Sequence, residues 1–402
     1  PAFAGQASSQ SQINFGQDSS FAGNETAQGN TDDNGKGDFY YSPPSGFLAL
    51  CSANLPDPAI DPAQDEEPTD YFNTVLYAGN GSTGHAITGV GFQPDWVWIK
   101  GQNYNGSSHA LNDSVRGATK RLSSDSTGSE STNAEFLQSF DSDGFTVGNH
   151  AAYNSGSHNY VSWNWLAGGT AASNTDGTIT SSVSANTEAG FSIVSYTGNG
   201  TAGATVGHGL AHAPEFFITK RRSQSDPWQT YVASLGATKR LELNATSAGI
   251  TSDASFNDTA PNSSVFTLGS GGYGNASSAT YIAYCFHSVE GYSKVGSYTG
   301  NGSSDGTFIY TGFRPAWILF KSSSIAANWI LHDTARNTYN ASNKHLRPNT
   351  SDQENTGANE TIDILSNGFK HRGVSNYNAN SSGQTYIYLA FAEQPFKYAN
   401  AR

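Results

Sequence analysis

The sequence predicts an all-β fold: three tandem antiparallel β-sandwich modules of the jelly-roll or concanavalin-like kind, each of about 100 residues, preceded by strands of a further domain. Three observations support this prediction. Glycine contributes 44 of 402 residues and aromatic residues 12%, while charged residues are only 13%, a composition typical of short strands and turns. A set of landmarks recurs three times in one order. Apolar and polar residues alternate in YVSWNWLAG, which closes the first copy.

The landmarks define the three copies. The phrase Tyr-x-Gly-Asn-Gly begins at Tyr77, Tyr196 and Tyr298. A proline-led apolar run ending in lysine follows 17 or 18 residues later and reads PDWVWIK, PEFFITK and PAWILFK, from Pro94, Pro214 and Pro315. GATKRL occurs in the first two copies, and the third has diverged to DTARNTYNASNKHL from Asp333. Aromatic strands from Tyr160, Tyr281 and Tyr386 close the copies.

Periodicity indicates what each copy folds into. In YVSWNWLAG, Val161, Trp163 and Trp165 face one way and Ser162 and Asn164 the other, as in a half-buried strand. PDWVWIK is apolar on both faces, as a strand in the middle of a sheet would be. The Asp-Gly pair in FDSDGF and the Asn-Gly pair in ILSNGF favour tight hairpin turns. A single sheet could not bury these aromatic residues, so two-layer sandwiches are predicted.

The domain organisation follows from these copies. Residues 1–55 do not repeat the module and are expected to supply two or three trailing strands of an upstream sandwich, or strands that pack elsewhere. Residues 56–70, PDPAIDPAQDEEPTD, are predicted to form a stiff, solvated connector. Repeat 1 covers 71–169, a Ser/Thr/Gly linker covers 170–189, repeat 2 covers 190–290 and repeat 3 covers 291–402.

Charge and cysteine content exclude several classes of function. The net charge of −13 without a basic run argues against nucleic-acid and membrane partners. The two cysteines, Cys51 and Cys285, fall in different modules and exclude a disulfide framework. No apolar run approaches 18 residues, so no membrane span is predicted.

Two groups of phrases resemble known families. The combination NFGQ…PPSGFLALCSANLP resembles the C-terminal end of SPRY-like, concanavalin-type domains of phage virion proteins. The repeated YTGNG…GFxPDWVWIK…DSVRGATKRL is similar to a domain family of unassigned function in tail-fibre and other structural proteins of marine phages. The resemblance implies location in the virion and supplies no catalytic residue.

Motifs that could carry chemistry each have a structural alternative. GNGSTG from Gly79 and GNGTAG from Gly198 fit a nucleotide-binding pattern, but the third copy breaks it, which favours turn glycines. GSSDG from Gly302 fits a nucleophile elbow around Ser304 without a following helix. DSDG from Asp141 and TDDNG from Thr31 are turns or adventitious calcium loops, because the distal acid of a calcium site is missing after Asp141. The ten histidines form no zinc pattern.

Two other sets of residues leave a binding role open. Asp113 with Arg116, matched by Asp333 with Arg336, is either a ligand-gripping or catalytic pair or a structural ion pair. The second reading is favoured because repeat 2 replaces the pair by Val232 and Leu235. Trp98 and Trp163 align with bulky residues and are predicted as core. One aromatic position, held by His109, Trp228 and Trp329, either packs or contacts a ligand or neighbour.

The leading hypothesis is a non-enzymatic bacteriophage virion protein, a tail-fibre or appendage component for host attachment. We expect no catalytic, cofactor-binding or metal-binding residue and no cofactor, and the ligand-binding residues stay unknown. Expected partners are other virion subunits, further copies of the chain with a homotrimer favoured, and a host-surface glycan or protein. The alternatives are a virion decoration or spacer protein, and a carbohydrate-binding array or polysaccharide-active enzyme.

Overall fold

The computed structural model describes residues 12–373 and 377–400 and divides the chain into two compact units, Pro1–Pro58 and Ala59–Arg402. The predicted all-β fold is confirmed: the described residues form 26 strands, three one-turn α-helices and five short 3₁₀ helices. No helix among these residues is long and apolar enough to cross a bilayer.

Repeat 1 folds into two main antiparallel sheets. Its elements are β1 (Phe72–Ala78), β2 (His85–Thr88), β3 (Trp96–Gly101), β4 (Ala110–Asp113), β5 (Lys120–Arg121), β6 (Ser131–Thr132), β7 (Leu137–Asp141), β8 (Gly144–Val147), α1 (Ala151–Asn154) and β9 (Asn159–Trp165). The larger sheet has the order β1-β9-β3-β4, the smaller β2-β8-β7, and β5 pairs with β6. Val97 and Ile99 of β3 share a buried cluster with Phe145 and Val147 of β8, so the two sheets enclose a core.

Repeat 2 is built on the same plan with extra edge strands. Its elements are β10 (Ala172–Asn174), β11 (Ser181–Asn186), β12 (Phe191–Thr197), β13 (Thr205–Gly207), β14 (Phe216–Arg221), β15 (Gln229–Val232), a 3₁₀ helix (Ala233–Leu235), β16 (Lys239–Glu242), β17 (Ile250–Thr251), α2 (Asp253–Phe256), β18 (Val265–Thr267), α3 (Gly272–Asn275) and β19 (Thr280–Phe286). The large sheet has the order β10-β11-β12-β19-β14-β15-β16-β17, and β13 pairs with β18.

Repeat 3 returns to the arrangement of repeat 1. Its elements are β20 (Ser293–Thr299), β21 (Phe308–Tyr310), β22 (Phe313–Ser322), β23 (Ile330–Asp333), a 3₁₀ helix (Ala358–Glu360), β24 (Ile362–Leu365), β25 (Gly368–His371) and β26 (Thr385–Pro395). The sheets have the orders β20-β26-β22-β23 and β21-β25-β24. In every repeat the proline-led strand therefore lies beside the closing strand, which pairs with the strand of the Tyr-x-Gly-Asn-Gly phrase.

The three large sheets also pack against one another. One buried apolar cluster contains side chains from all three, and aromatic contacts join each pair of repeats. Trp96 stacks on Tyr284 with ring centroids 4.4 Å apart, Phe286 meets Phe391 at 5.8 Å, and Trp165 meets Trp317 at 5.6 Å. The proline-led strands are apolar on both faces because one face covers the repeat's own core and the other covers this shared core. The prediction of a central strand for PDWVWIK is confirmed.

Neither predicted connector is a linker, and both predictions were wrong. In the first segment, Ile60 is fully buried in the shared core, and 3₁₀ helices form at Pro62–Gln64 and Pro68–Asp70. Its acids cap these helices: Asp61 accepts from the Ala63 amide, and the Asp70 side chain accepts from the Glu67 amide. In the second segment, β11 pairs with β12 over six residues, and Val183 enters the core of repeat 2.

The first unit contains less strand than expected. Between residues 12 and 58 the structure has one bridge, Asn30 with Phe39, and a 3₁₀ helix at Ser52–Asn54, so the prediction of two or three strands was wrong. Side chains organise the loops instead. Asp32 accepts hydrogen bonds from three backbone amides and from the Asn54 amide group. Burial opposes ionisation of Asp32, but these donors lower its pKa to about 2.

Candidate functional site: the interfaces between the repeats

The lysine near the end of each proline-led strand reaches into a neighbouring repeat. Its target is a loop that we call the interface loop, residues 122–130, 241–249 and 346–354 in repeats 1, 2 and 3. Lys220 Nζ donates to Thr127 O at 3.0 Å, Lys321 Nζ to Thr246 O at 3.1 Å, and Lys100 Nζ to Ser351 O at 3.1 Å. Repeat 2 thus contacts repeat 1, repeat 3 contacts repeat 2, and repeat 1 contacts repeat 3. The three contacts close a ring.

Backbone hydrogen bonds follow the same register at every interface. The carbonyl two residues after each lysine accepts an amide from the interface loop, and the amide six residues after it donates to that loop. The first set is Glu130 N to Arg222 O, Gly249 N to Ser323 O and Glu354 N to Gln102 O, at 2.9, 2.9 and 2.7 Å. The second set is Asp226 N to Thr127 O, Ala327 N to Thr246 O and Gly106 N to Ser351 O, at 2.9, 2.8 and 3.0 Å. Equivalent bonds at all three interfaces indicate pseudo-threefold symmetry within one chain.

The position held by His109, Trp228 and Trp329 is a neighbour contact. Trp228 Nε1 donates to Ser123 O and Trp329 Nε1 to Glu242 O, both at 2.9 Å, and His109 Nε2 donates to Arg347 O at 3.2 Å. All three side chains are fully buried. His109 can replace an indole because its Nδ1 accepts from Trp98 Nε1 at 2.9 Å, which leaves Nε2 as the donor. Burial, with the charge of Lys100, holds the pKa of His109 well below its ordinary value and keeps the ring neutral.

The pair Asp113 and Arg116 is also buried at an interface. Arg116 Nε donates to Asp113 Oδ2 at 2.5 Å, and the Tyr284 hydroxyl of repeat 2 donates to the same oxygen at 2.6 Å. At the interface between repeats 1 and 3, Trp163 Nε1 donates to Asp333 Oδ2 at 3.0 Å. The side chains of both ion pairs are 0% exposed. They connect repeats and are closed to a ligand from solvent.

At the interface between repeats 2 and 3, apolar residues occupy the positions of these hydrogen-bonded groups. Val232 stands where the other repeats have aspartate, and Leu389 stands where they have Trp163 and Tyr284. Val232 and Leu389 both belong to the shared apolar cluster. At this one interface an apolar pair thus takes the place of the hydrogen-bonded pair found at the other two, which explains why both positions differ together between the copies.

Burial changes the chemistry of the three lysines. It lowers the pKa of Lys100 and Lys220 to about 8 and that of Lys321 to about 7. Each amine therefore holds its proton less tightly than an exposed lysine does, and in either protonation state it can donate to the loop carbonyl. Next to the Lys220 interface, Glu130 accepts from Arg222 at 2.9 Å and from Arg116 at 3.2 Å. Burial opposes the ionisation of Glu130, yet these cations hold its pKa below the ordinary value.

The glycine motifs lie in turns. Gly81, Gly200 and Gly302 have φ of 71°, 75° and 71°, a conformation that favours glycine. Each phrase connects two strands, and no helix follows it. Ser304 lies in the exposed loop between β20 and β21. These positions have the geometry of connecting turns and not that of a nucleotide-binding loop or a nucleophile elbow.

The acidic motifs bond to their own surroundings. Asp141 Oδ2 accepts from Thr146 Oγ1 at 2.7 Å, and Asp143 accepts from the amides of Gly89 and Gly91 at 3.0 and 2.7 Å. The Gly91 and Gly89 amides hold the pKa of Asp143 below its ordinary value. Across residues 12–373 and 377–400, no group of three His, Cys, Asp or Glu side chains is arranged to hold a metal ion.

One surface feature was not predicted. Phe308 and Tyr310 on β21 are 44% and 51% exposed, and Ile309 between them is buried, so the two rings lie on the outer face of the small sheet. The paired register places Ala86 and Thr88 at these positions in repeat 1, and Thr205 and Gly207 in repeat 2. Comparing the copies along this strand would have revealed the substitution of small residues by aromatic ones.

A family model matches residues 67–395, and its description is "Domain of unknown function (DUF7483)". Comparison with curated proteins finds no match. Comparison with solved structures finds none either.

Proposed function

The chain belongs to this family of unknown function, DUF7483, and we propose that it is a non-enzymatic structural component of a bacteriophage virion. Its place is in a tail fibre or comparable appendage. The observation that supports this proposal best is the closed ring of three repeats. The two sets of residues for which the sequence left a binding role open, the aspartate–arginine pairs and the position of His109, Trp228 and Trp329, are buried in the ring interfaces, where they connect the repeats. The resemblance of the landmark phrases to marine phage proteins directs the proposal to the virion.

A rigid ring is suited to presenting a surface. All three interfaces combine aromatic packing with main-chain hydrogen bonds, and two of them add a buried ion pair, so the outer sheets are held at fixed angles to each other. The aromatic pair Phe308 and Tyr310 on repeat 3 is the surface that we assign to host attachment. Exposed rings can stack on the apolar faces of sugars. Lys370, opposite Phe308 in the neighbouring strand, adds a cation beside the rings and is 2.6 Å from Asp305.

Two experiments test this proposal. Antibodies against the chain, viewed on purified particles by electron microscopy, should label an appendage. If particles from the native host carry no label and contain none of the chain, the virion role fails.

Attachment is tested separately with variants of the aromatic pair. Particles carrying Phe308→Ser and Tyr310→Ser should adsorb to host cells more slowly than the parent. Particles carrying Tyr339→Ser are the control, because Tyr339 is another aromatic residue of repeat 3 and is even more exposed, at 80%. If the parent particles, those with substitutions in the aromatic pair and the Tyr339→Ser control adsorb equally fast, the attachment role is excluded and a decoration or spacer protein is favoured.

The predicted homotrimer stays a prediction. The contacts of a threefold assembly are made here between repeats of one chain, so a single chain already presents three similar faces. Light scattering of the purified chain distinguishes a monomer from a trimer.

A further inference from the structure

The large sheets differ in how their outer edge is covered. In repeat 2, the edge strand β12 is paired with β11 over six residues, from Ser181↔Tyr196 to Asn186↔Phe191. In repeat 1, the equivalent strand β1 pairs only with β9 among the residues that the structure describes. Within these residues, the same position in the same sheet has a strand partner in repeat 2 and none in repeat 1.

The hydrogen-bond alternation identifies the open groups on β1. Gly79 N donates to His158 O, so the odd-numbered residues of β1 bond to β9 and the even-numbered ones point outward. At Thr74 the outward amide is bonded to the Asn73 side chain at 2.8 Å. The amide and carbonyl of Leu76 have no partner within the described residues, and its side chain is 44% exposed.

Burial of the neighbouring side chains shows the same difference. Val194 and Tyr196 of β12 are 0% and 3% exposed beneath β11. Their counterparts Val75 and Tyr77 on β1 are only half-buried, although they pack against the core of repeat 1. A strand added to β1 would cover them.

The equivalent strand of repeat 3 differs in its side chains. At Ser297, the counterpart of Leu76, the outward amide has no partner within the described residues, but it lies between Gly296 and the buried Tyr298. The first half of this strand is protected. Val295 N donates to Ser288 Oγ at 3.0 Å, and Val289 pairs with Ser293 in a bridge. Short protective contacts of this kind are a common way to block an edge strand. Only β1 among the three equivalent strands thus combines an open amide with half-buried apolar side chains.

The surroundings of β1 give room and charge for a partner. A groove of about 280 Å³ begins beside Phe72, Asn73 and Thr74 and is bounded on the other side by Thr334 and Ala335 of repeat 3. The segment that enters β1, residues 61–70, contains five acids and no basic residue. A positively charged partner is therefore favoured at this end of the strand.

We propose that β1 is an acceptor site for an extended segment of another polypeptide, which pairs antiparallel to it as β11 pairs with β12. The donor carries a β-branched residue opposite Val75, small residues on either side, and a basic residue beyond its C-terminal end, near the acidic segment. Main-chain bonds to Leu76 hold it, and the side chains set its register. This site goes beyond the proposed function and stands whether or not the chain belongs to a virion.

The probe is a peptide copied from this chain. It has the sequence of residues 180–187, TSSVSANT, followed by two lysines, with blocked ends. Binding is followed in the full chain through the amide resonance of Leu76 in leucine-labelled protein. We expect saturable binding that moves this resonance and weakens as salt is added, because the lysines face acids.

Two N-methylated peptides give a control on unchanged protein. In the first peptide, methyl groups block the amides copied from Ser182 and Ser184, which face the acceptor strand. In the second, they block the amides copied from Val183 and Ala185, which face away from it. The first peptide should bind roughly tenfold more weakly, since two main-chain hydrogen bonds are lost, and the second should bind like the parent.

Protein variants complete the test. Leu76→Pro removes the open amide and should abolish binding, and Ser297→Pro, at the equivalent outward position of β20, should leave it unchanged. Equal binding of both methylated peptides, binding that leaves the Leu76 resonance unmoved, or no saturable binding would each overturn the proposal.

Discussion

Replacing Asp113 by valine tests whether the buried ion pairs hold the repeats together. Asp113 accepts from the Arg116 amide at 2.7 Å, from Arg116 Nε at 2.5 Å and from the Tyr284 hydroxyl at 2.6 Å. Asp113→Val leaves a buried guanidinium without its main counterion. Removing one partner of such a pair costs about 3–5 kcal/mol. We expect about 3 kcal/mol, the lower end of that range, because Arg116 keeps Glu130 at 3.2 Å.

The interface between repeats 2 and 3 supplies a compensating design. There Val232, Leu235 and Leu389 occupy the positions of Asp113, Arg116 and Tyr284. The triple variant Asp113→Val, Arg116→Leu, Tyr284→Leu copies this apolar solution, and Glu130 retains its bonds to Arg222. We expect its stability to return to within about 1 kcal/mol of the parent, since apolar residues often replace buried ion pairs without loss.

Urea unfolding of the full chain, followed by tryptophan fluorescence, measures both effects. Tyr196→Phe is the control, because it removes a buried hydroxyl that bonds to Gly274 O within its own repeat at 2.9 Å. This loss should cost about 1 kcal/mol. An Asp113→Val variant with the same free energy of unfolding as the parent would refute the reasoning. A triple variant as unstable as the single one would also refute it.

Three further predictions follow from burial. The rings of His332, His345 and His371 are buried in repeat 3, and burial lowers the pKa of His345 to about 4 and of His371 to about 3. As pH falls, histidines of the unfolded chain take up protons before the buried ones do, so the free energy of unfolding should be highest above about pH 6.5 and fall steadily below it. Unfolding measured from pH 7 to pH 4 tests this, and a free energy that does not change with pH would contradict it. Lys321 has a pKa of about 7, so its contribution to stability should increase from pH 7 towards 10. In thermal melts, the melting temperature of Lys321→Met should increase less over that interval than that of the parent. An equal increase in both proteins would contradict the lowered pKa of Lys321. Residues 59–402 share one core, so calorimetry should show a single transition for them and not three separate ones.

Several parts of the fold could be predicted because they have local signals. Alternation identified the closing strand around Trp163, and double-sided apolarity identified the central strand around Trp98. The repeat spacing located the copies. Asn-Gly and Asp-Gly pairs marked hairpin turns, and Gly144 does connect β7 to β8.

The ring could not be predicted because its contacts are non-local. The interfaces join residues about 75 to 250 positions apart, and the acceptors are mainly backbone carbonyls, which any residue supplies. The segment 170–189 was mistaken for a linker because its strand is rich in serine and threonine, a composition shared with flexible connectors. The position of His109, Trp228 and Trp329 carried a real signal, since a polar ring tip was kept in all three copies. Only the structure identified its neighbour.

Fusing the three repeats into one chain lets each interface vary alone. In a homotrimer a substitution near the axis is repeated three times at once, so a change from aspartate to valine would have to succeed at every interface together. Here one interface has apolar residues where the other two have an ion pair, and one outer face carries an aromatic pair where the other two carry small residues. A single gene can therefore specialise one side of a nearly symmetric particle and leave the other two sides as support.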